Sequence, residues 1–448
     1  MRYTPHTPSD KAQMLRAIGF DSVEELYQHI PQMVRERARI DLPDGLSELA
    51  VGRRLAALAS KNATASDWSL FLGGGIYHHF IPSAVDAIIS RSEFSTSYTP
   101  YQPEVSQGTL QALFEYQTLI CQLTGMEVSN AGVYDGAAAA AEAVLMSRRI
   151  QPASRRRVLV SRALHPQYRA VISTYVKNLD DVRVEEIPFE ASGATDVERL
   201  ASRLNDRSMC VVVGYPNFFG VIEDLAPILA LCAGAGAQLI TVTTEPFALA
   251  LVKPPGSWGA DIAVGEGQSL GVSMTLGGPA YGFFTCQKKF VRNIPGRLVG
   301  ETVDTEGRRG FVLTLATREQ HIRREKATSN ICTSQTLCAL ASTVFMALLG
   351  KTGLRRLAEV NVARAHEARD RLVGQGKLEA GFTGPFFNEF VLRADNLDDL
   401  FKRCAAEKIV PGVALGQWYP EIKGGLLICV TEMNEREEIE RLVRTISG

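Results

Sequence analysis

Several hallmarks of secreted and nucleic-acid-binding proteins are absent from this sequence. Its eight cysteines include no Cys-x-x-Cys pair, and most lie in apolar runs such as residues 210–213. We therefore expect buried free thiols in a reducing cytoplasm, and no metal site. The formal net charge of −1 offers neither a basic surface for nucleic acid nor an acidic tail.

Long hydrophobic runs are missing as well. Residues 1–6 contain no apolar core of a signal peptide. The longest apolar stretch, residues 337–349, is too short to span a bilayer and is interrupted by Ser342 and Thr343. These observations predict a cytoplasmic protein without a membrane partner.

The length indicates more than one structural unit. A chain of 448 residues can form a large core together with one or two smaller units. The sequence has no internal repeat and no low-complexity linker. We predict a helical N-terminal segment over residues 1–69, a large domain over residues 70–330 and a small α+β domain over residues 331–448.

In the large domain, short apolar runs alternate with helical patterns. The predicted strands are residues 158–160, 182–187, 210–213, 239–242 and 261–264. Helices are predicted at 106–125, from Gly136 to Met146, at 165–178 and at 225–235. This alternation predicts an α/β fold with a doubly wound, mostly parallel sheet. Such sheets bind ligands at the carboxyl ends of their strands.

The C-terminal third shows a different pattern. A helix is predicted from about Ser334 to Leu349, and a second one after Gly353. Strands at 388–392 and 426–430 and helices at 397–406 and 435–445 complete a smaller α+β domain.

Two polar loops in the large domain are candidate substrate sites. Residues 73–82 begin with three glycines and continue with Tyr77, His78 and His79, which could bind a carboxylate, although a flexible loop is the simpler interpretation. Residues 98–108 form a proline-stiffened loop that leads into a helix. Its polar side chains are candidates for catalysis, with an ordinary loop capped by Ser106 as the alternative: Tyr98, Tyr101, Glu104 and Gln107.

Three further candidates follow predicted strands or begin helices. Asp135 and Gly136 lie among small residues at a helix start, where backbone N–H groups could bind a phosphate or simply pack closely. His165 could stack on a flat ring or serve as a capping residue. Glu245 could pair with a pyridinium nitrogen or be an ordinary loop acid.

The charged stretch at residues 318–333 ends at a predicted helix start. A charge run is usually a solvated face. Its end, Thr328, Ser329 and Asn330, could instead present donors to a phosphate across a subunit interface.

The order of these motifs resembles that of fold-type-I enzymes that use pyridoxal phosphate. The chain more closely resembles the P-proteins of the glycine cleavage system, and among them the first subunit of the two-subunit form. The matching stretches are residues 98–108, 134–136, 259–271, 296–302 and 318–333. The resemblance covers nearly the whole chain.

The resemblance makes Gln268 the most informative residue. In fold-type-I enzymes this position carries the lysine that holds pyridoxal phosphate covalently, and an amide nitrogen cannot condense with an aldehyde as an amine does. The resemblance implies that a second P-protein subunit carries this lysine and the cofactor. Together the two subunits would decarboxylate glycine and pass the aminomethyl group to the lipoyl group of H-protein.

The same resemblance implies residue roles. The two tyrosines of residues 98–107 and Gln107 could contact glycine or the cofactor, and residues 328–330 would approach the partner-bound cofactor. His78 and Arg323 could bind a carboxylate or steer the lipoyl arm. Asp135, Gly136, His165, Glu245 and Gln268 would form a degenerate cofactor-like site. Two alternatives remain open: a self-sufficient enzyme that uses Lys253 or Lys288, and a structural partner without a catalytic role.

Overall fold

The structure is a computed structural model that describes residues 5–38 and 41–447. It divides the chain into two units, Met1–Ala63 and Thr64–Gly448. Residues 1–4, 39–40 and 448, which fall within the predicted N-terminal segment and small domain, lie outside the described residues. The predicted boundary near residue 331 between large and small domains stays a prediction.

The first unit is helical in its described residues. It contains α1 (Pro8–Ala17), α2 (Gln32–Arg37) and α3 (Glu48–Ala59), with a 3₁₀ turn at Glu24–Tyr27. Thr7 and Asp10 form a capping box at the start of α1, and the Ser47 hydroxyl caps α3. None of the residues in these helices is buried.

The second unit begins with elements that flank the site described below. They are β1 (Ser69–Leu70), α4 (Ser83–Ile89), α5 (Ser92–Ser95), α6 (Gln107–Thr124), β2 (Val128–Ser129) and α7 (Gly136–Ile150). Helix α6 agrees with the predicted 106–125, and Gly125 ends it in the left-handed conformation at φ 68°.

The middle of the chain alternates strand and helix. Its elements are β3 (Arg157–Ser161), α8 (Pro166–Val176), β4 (Arg183–Ile187), α9 (Val197–Arg203), β5 (Ser208–Gly214), α10 (Leu225–Ala235), β6 (Gln238–Thr243), α11 (Pro255–Trp258), β7 (Ile262–Glu266) and β8 (Gly282–Cys286). They form a seven-stranded sheet in the order β2-β8-β7-β6-β5-β3-β4.

The sheet is mostly parallel, which confirms the predicted fold. Strands β4, β3, β5, β6 and β7 pair in parallel, whereas β8 runs antiparallel to both β7 and β2. Strand β8 was not predicted, because its run of residues 282–286 follows a Gly-Gly-Pro turn rather than a helix. Strands β5, β6 and β7 are buried along their whole length.

The C-terminal elements are β9 (Leu298–Val303), β10 (Arg309–Thr314), α12 (Gln320–Arg323), α13 (Thr336–Gly374), β11 (Glu379–Ala380), β12 (Glu389–Arg393), α14 (Leu397–Ala406), β13 (Ile409–Val410), β14 (Val413–Ala414), β15 (Gly425–Cys429) and α15 (Arg436–Ser447). Strands β9 and β10 form an antiparallel hairpin. A four-stranded sheet, β11-β12-β15-β14, packs against α13, α14 and α15 around one apolar core. Strand β1 pairs in parallel with β13.

Helix α13 is long and apolar enough to cross a membrane by length and composition, the one such helix in the described part of the chain. Gly350 interrupts it at φ 59°, close to the break predicted between two helices. The part before Gly350 buries Phe345 and Met346 in a core that also contains residues of α4 and α6. This is the packing of a core helix.

Candidate functional site

The side chain of Gln268 is buried and fully hydrogen-bonded. It follows β7, and only 3% of the residue is exposed. Its Oε1 accepts from the Tyr77 backbone N–H at 2.9 Å, and its Nε2 donates to the carbonyls of Tyr77 at 3.2 Å and Val272 at 2.7 Å. Gln268 therefore holds residues 73–82, called here the glycine-rich segment, against the end of the seven-stranded sheet.

Glu245 follows β6 and pairs with a histidine of the glycine-rich segment. The Nε2 of His79 donates to the Glu245 carboxylate at 2.9 Å, and its Nδ1 donates to Glu432 at 2.8 Å. Burial opposes a charge on His79, but the two carboxylates outweigh it and raise its pKa to about 10. His79 is thus a buried imidazolium between two acids, with its ring 4.5 Å from that of Phe247.

His165 also contacts the glycine-rich segment. It is the N-cap of α8, where its Nδ1 accepts from the Gln167 N–H at 3.2 Å, so the capping alternative is confirmed. Its Nε2 donates to the Gly74 carbonyl at 2.7 Å, and burial lowers its pKa to about 4. At Gly75, where φ is +110°, an added Cβ would lie 3.1 Å from this ring. Only glycine lets the backbone approach the imidazole this closely.

The N-terminus of α7 holds a protein carboxylate. Asp135 caps the helix by accepting from the Ala138 N–H at 2.6 Å, and the Gly136 N–H donates to Glu266 at 3.0 Å. The other Glu266 oxygen accepts from the N–H groups of Gly267, Gln268 and Tyr281. Burial raises the pKa of Glu266 to about 7. At this helix start, the backbone N–H of Gly136 is thus bonded to a carboxyl group of the same chain. Phosphate binding at this position stays a prediction.

The five residues predicted to form a cofactor-like site therefore lie close together. The inner cluster is defined as Asp135, Gly136, His165, Glu245 and Gln268. A further acid, Glu389 of β12, accepts from the Gly74 N–H at 2.6 Å and the Tyr77 hydroxyl at 2.8 Å. Burial raises the pKa of Glu389 to about 7.

Sequence reasoning named His79 only as one of three side chains that could bind a carboxylate, and it missed Glu266 and Glu389. Burial alternates along residues 75–80, with Gly75, Tyr77 and His79 buried and Ile76 and Phe80 exposed. The residue types do not show this alternation, because Ile76 and Phe80 are apolar but exposed, whereas His79 is polar but buried. His78 is half-buried, and burial, followed by the charge of His79, lowers its pKa.

The loop of residues 98–108 lies at the surface. Tyr98 is 81% exposed and Tyr101 51% exposed, and Glu104 is exposed as well. The Tyr101 hydroxyl accepts a hydrogen bond from Arg297 at 2.7 Å, and the Arg297 guanidinium lies 5.1 Å from the centre of the tyrosine ring. Arg297 directly precedes β9 and is itself buried.

Gln107 begins α6 and binds the backbone of β10. Its Nε2 donates to the Phe311 carbonyl and its Oε1 accepts from the Phe311 N–H, both at 2.8 Å. Ser106 occupies the N-cap position, but its side chain makes no capping hydrogen bond. Gln107 therefore joins the loop to the β9–β10 hairpin.

Residues 328–330 lie close to the same arginine. Thr328 and Ser329 line a small cavity together with Arg297, Arg318 and Cys332, and Asn330 is exposed. Arg297 also donates to the Cys332 carbonyl. We name Tyr98, Tyr101, Glu104, Arg297 and residues 328–330 the outer surface. The Cys332 N–H donates to the hydroxyl of Tyr134, the neighbour of Asp135, so the outer surface lies beside the inner cluster.

The fold and the inner cluster define the class of protein. The structure matches a sphingosine-1-phosphate lyase of Burkholderia pseudomallei with a TM-score of 0.66 at 15% identity, over 93% of this chain and 94% of that one. This likeness shows the fold alone, which is that of fold-type-I enzymes dependent on pyridoxal phosphate.

The family follows from closer relatives. The family model described as the glycine cleavage system P-protein matches residues 1–446. A probable glycine dehydrogenase (decarboxylating) subunit 1 of Carboxydothermus hydrogenoformans is 48% identical over 448 residues, covering 100% of both chains. The crystal structure of an inhibitor-bound glycine decarboxylase (P-protein) of the glycine cleavage system matches with a TM-score of 0.91 at 43% identity, over 100% of this chain and 99% of that chain. The chain belongs to the P-protein family of the glycine cleavage system, as the sequence motifs predicted.

Proposed function

We propose that this chain is the subunit of a two-subunit glycine decarboxylase that lacks the cofactor lysine. One observation supports this most directly: the position of the lysine holds Gln268, whose amide is fully hydrogen-bonded to backbone groups. The relatives are named subunit 1, which points to a second subunit. That subunit would carry the lysine and the pyridoxal phosphate.

When bound to that second subunit, the cofactor supplies an electron sink for the loss of carbon dioxide from glycine. The aminomethyl group would then pass to the lipoyl group of H-protein. This chain would contribute one wall of the shared cleft. Its eight cysteines are free in the structure, and the curated relatives are bacterial proteins. Both observations support the cytoplasm as its location.

The outer surface supplies the groups that would face the cleft. Arg297 orients Tyr101 through a hydrogen bond at 2.7 Å, and a charge-assisted bond of this kind is among the stronger ones in proteins. The exposed Tyr98 and Glu104 lie on the same loop. Residues 328–330, together with His78, would bind the carboxylate of glycine or the phosphate of the partner-bound cofactor.

A self-sufficient enzyme that uses another lysine fits the geometry poorly. Strand β8 runs antiparallel to β7, and Cys286 pairs with Ile262 at the start of β7. Lys288 therefore lies at the opposite end of the sheet from Glu266 and Gln268. The Lys253 ammonium lies 3.8 Å from the centre of the Trp258 ring, on α11, which leads into the start of β7.

The proposal is tested by co-purification of this chain with its candidate second subunit. We expect glycine decarboxylation that depends on both subunits and on lipoylated H-protein. The isolated chain, incubated with pyridoxal phosphate and reduced with borohydride, should carry no trapped cofactor. A trapped lysine adduct together with glycine turnover by the isolated chain would contradict the proposal.

A further inference from the structure

Every position of the inner cluster that the family fold would use for a cofactor is engaged by a group of this same chain. His79 bonds to Glu245, the position of the pyridinium partner. The Gly74 carbonyl bonds to His165, the position that would stack on the ring. Glu266 binds the Gly136 N–H, where a phosphate would sit. Gln268 bonds to Tyr77 in place of a lysine.

We propose that the contacts of the inner cluster, Glu389 and Glu432 form a lock that fixes the glycine-rich segment. His79 is its principal positioning residue, and the lock keeps the neighbouring His78 in its place in the proposed cleft wall. The lock itself rests on contacts within this chain. Its role in catalysis rests on the proposed function above.

The lock joins two sheets of the second unit. Gln268 and Glu245 follow strands of the seven-stranded sheet, whereas Glu389 belongs to β12 and Glu432 follows β15 in the four-stranded sheet. Glu432 also accepts the Phe80 N–H at 2.8 Å, and the Thr431 hydroxyl donates to the His78 carbonyl at 2.7 Å. The segment is therefore held from both sides along its length.

Charge and shape make His79 difficult to replace. Both ring nitrogens donate to carboxylates, so its removal leaves two buried acids facing a gap without a cation. A cofactor ring placed against Glu245 would have to displace His79, and a phosphate at α7 would have to displace Glu266. A lysine at position 268 alone would accordingly not recreate a cofactor site.

The first test uses the variant Gln268→Lys in the complex of both subunits, with added pyridoxal phosphate. After borohydride reduction and digestion, we expect the peptide that contains residue 268 to be unmodified. The modified lysine peptide of the second subunit is the internal positive control. A pyridoxyl group on residue 268 in a folded complex would overturn the lock, because it would show that the pocket is open.

The second test uses His79→Ala and does not depend on the cofactor. Hydrogen–deuterium exchange of amides in residues 73–82 should accelerate at least about tenfold more than exchange of amides in β5, a core strand that reports global unfolding. His366→Ala is the matched control, since His366 bonds a backbone carbonyl, that of Phe386, at 3.1 Å and stacks on its ring outside the lock. Unchanged exchange in His79→Ala, or equal acceleration in His366→Ala, would overturn the lock.

The positioning role of His79 is tested by steady-state kinetics of the two-subunit complex. With the complex still intact, His79→Ala should lower kcat/KM for glycine on the order of 100-fold, because a displaced cleft wall no longer orients the reactants. Accelerated exchange with wild-type kcat and KM would overturn this role. If the wild-type complex itself shows no glycine decarboxylation, the proposed function fails. The exchange experiment would still show whether the lock holds the glycine-rich segment in place.

Discussion

The inner cluster and the outer surface are neighbours with opposite properties. Four of the five residues of the inner cluster are buried. Their polar groups are bonded to other groups of this chain, and those of His165, Glu245 and Gln268 are bonded to the glycine-rich segment. The outer surface exposes Tyr98, Glu104 and Asn330, and it keeps Arg297 bonded to Tyr101. The contrast supports the proposal that this chain contributes to a shared site through its outer surface rather than through the inner cluster. Polar groups that already satisfy one another offer little to a ligand, whereas exposed and oriented groups offer much.

The largest effect is expected for a substitution at the inner cluster. His79→Ala should lower the free energy of unfolding by about 3–5 kcal/mol near neutral pH, because it leaves buried carboxylates without their cation. The pKa of His79 is raised to about 10 in the folded chain from its usual value near 6.5. Its stabilisation is therefore fully present below pH 6.5 and is lost as the pH rises through about 10.

Chemical denaturation of wild type and His79→Ala across this pH range measures the difference. The gap between the two unfolding free energies should narrow towards alkaline pH. A gap that stays constant from pH 6 to pH 11 would show that His79 is not a charged partner of Glu245 and Glu432.

Substitutions in the outer surface should change the activity of the complex rather than the stability of the chain. Tyr101→Phe removes the acceptor of Arg297, and Tyr98→Phe and Glu104→Gln remove exposed polar groups of the same loop. We expect each to lower kcat roughly tenfold or more without dissociating the complex, as loss of a positioned polar group commonly does. Steady-state kinetics of the two-subunit enzyme check this. Unchanged kinetics in all three variants would make the loop structural and the chain a non-catalytic partner.

Gln107 lies on the same loop as residues of the outer surface, but its side chain is bonded to backbone groups, as in the inner cluster. Gln117 provides its matched control. Gln117 bonds the N–H and the carbonyl of Val299, both at 2.9 Å, in the same way that Gln107 bonds Phe311. Replacement of either by alanine should cost roughly 1–3 kcal/mol of stability. If Gln107 also acts in catalysis, only Gln107→Ala should lower turnover beyond its effect on stability. Equal turnover in both variants would assign Gln107 a purely structural role.

The smallest effects are expected at Lys253 and Lys288, which lie outside both regions. Lys253→Ala removes a contact with Trp258 worth about 0.5–1 kcal/mol, and Lys288→Ala should change stability by less than about 0.5 kcal/mol. Both variants should retain the turnover of the wild-type complex. Loss of turnover in one of them would revive the hypothesis of a second cofactor lysine.

Much of the scaffold was predictable because it depends on local patterns. The apolar runs of β3 to β7 and the helices α8 and α10 could be recognised by their spacing, and the ends of α6 by residues 106 and 125. The short helices α9 and α11 were missed. Strand β8 and the β9–β10 hairpin were missed, since their pairing is antiparallel and no helical pattern surrounds them. The break in α13 was anticipated near Gly350 because glycine ends an apolar run there.

The candidate site was predictable only as a set of separate residues. Asp135, His165 and Glu245 were singled out from their positions after strands or at helix starts, and Gln268 from the family resemblance. Their partners were not, because a motif at a strand end shows which group is present but not what bonds to it. His79 was named with His78 as a possible ligand for a substrate carboxylate, but its pairing with two carboxylates of its own chain was not anticipated.

The sequence by itself determined that this chain cannot hold pyridoxal phosphate covalently at position 268, since the reactivity of an amide does not depend on the fold. It also determined the alternating strands and helices, whose periodicity is local. Only the tertiary structure decided that the inner cluster is filled. His79 and Glu245 are 166 residues apart, and Gln268 and Tyr77 are 191 apart. Contacts over such separations are selected by the packing of two sheets around one segment, and that packing is a property of the whole chain.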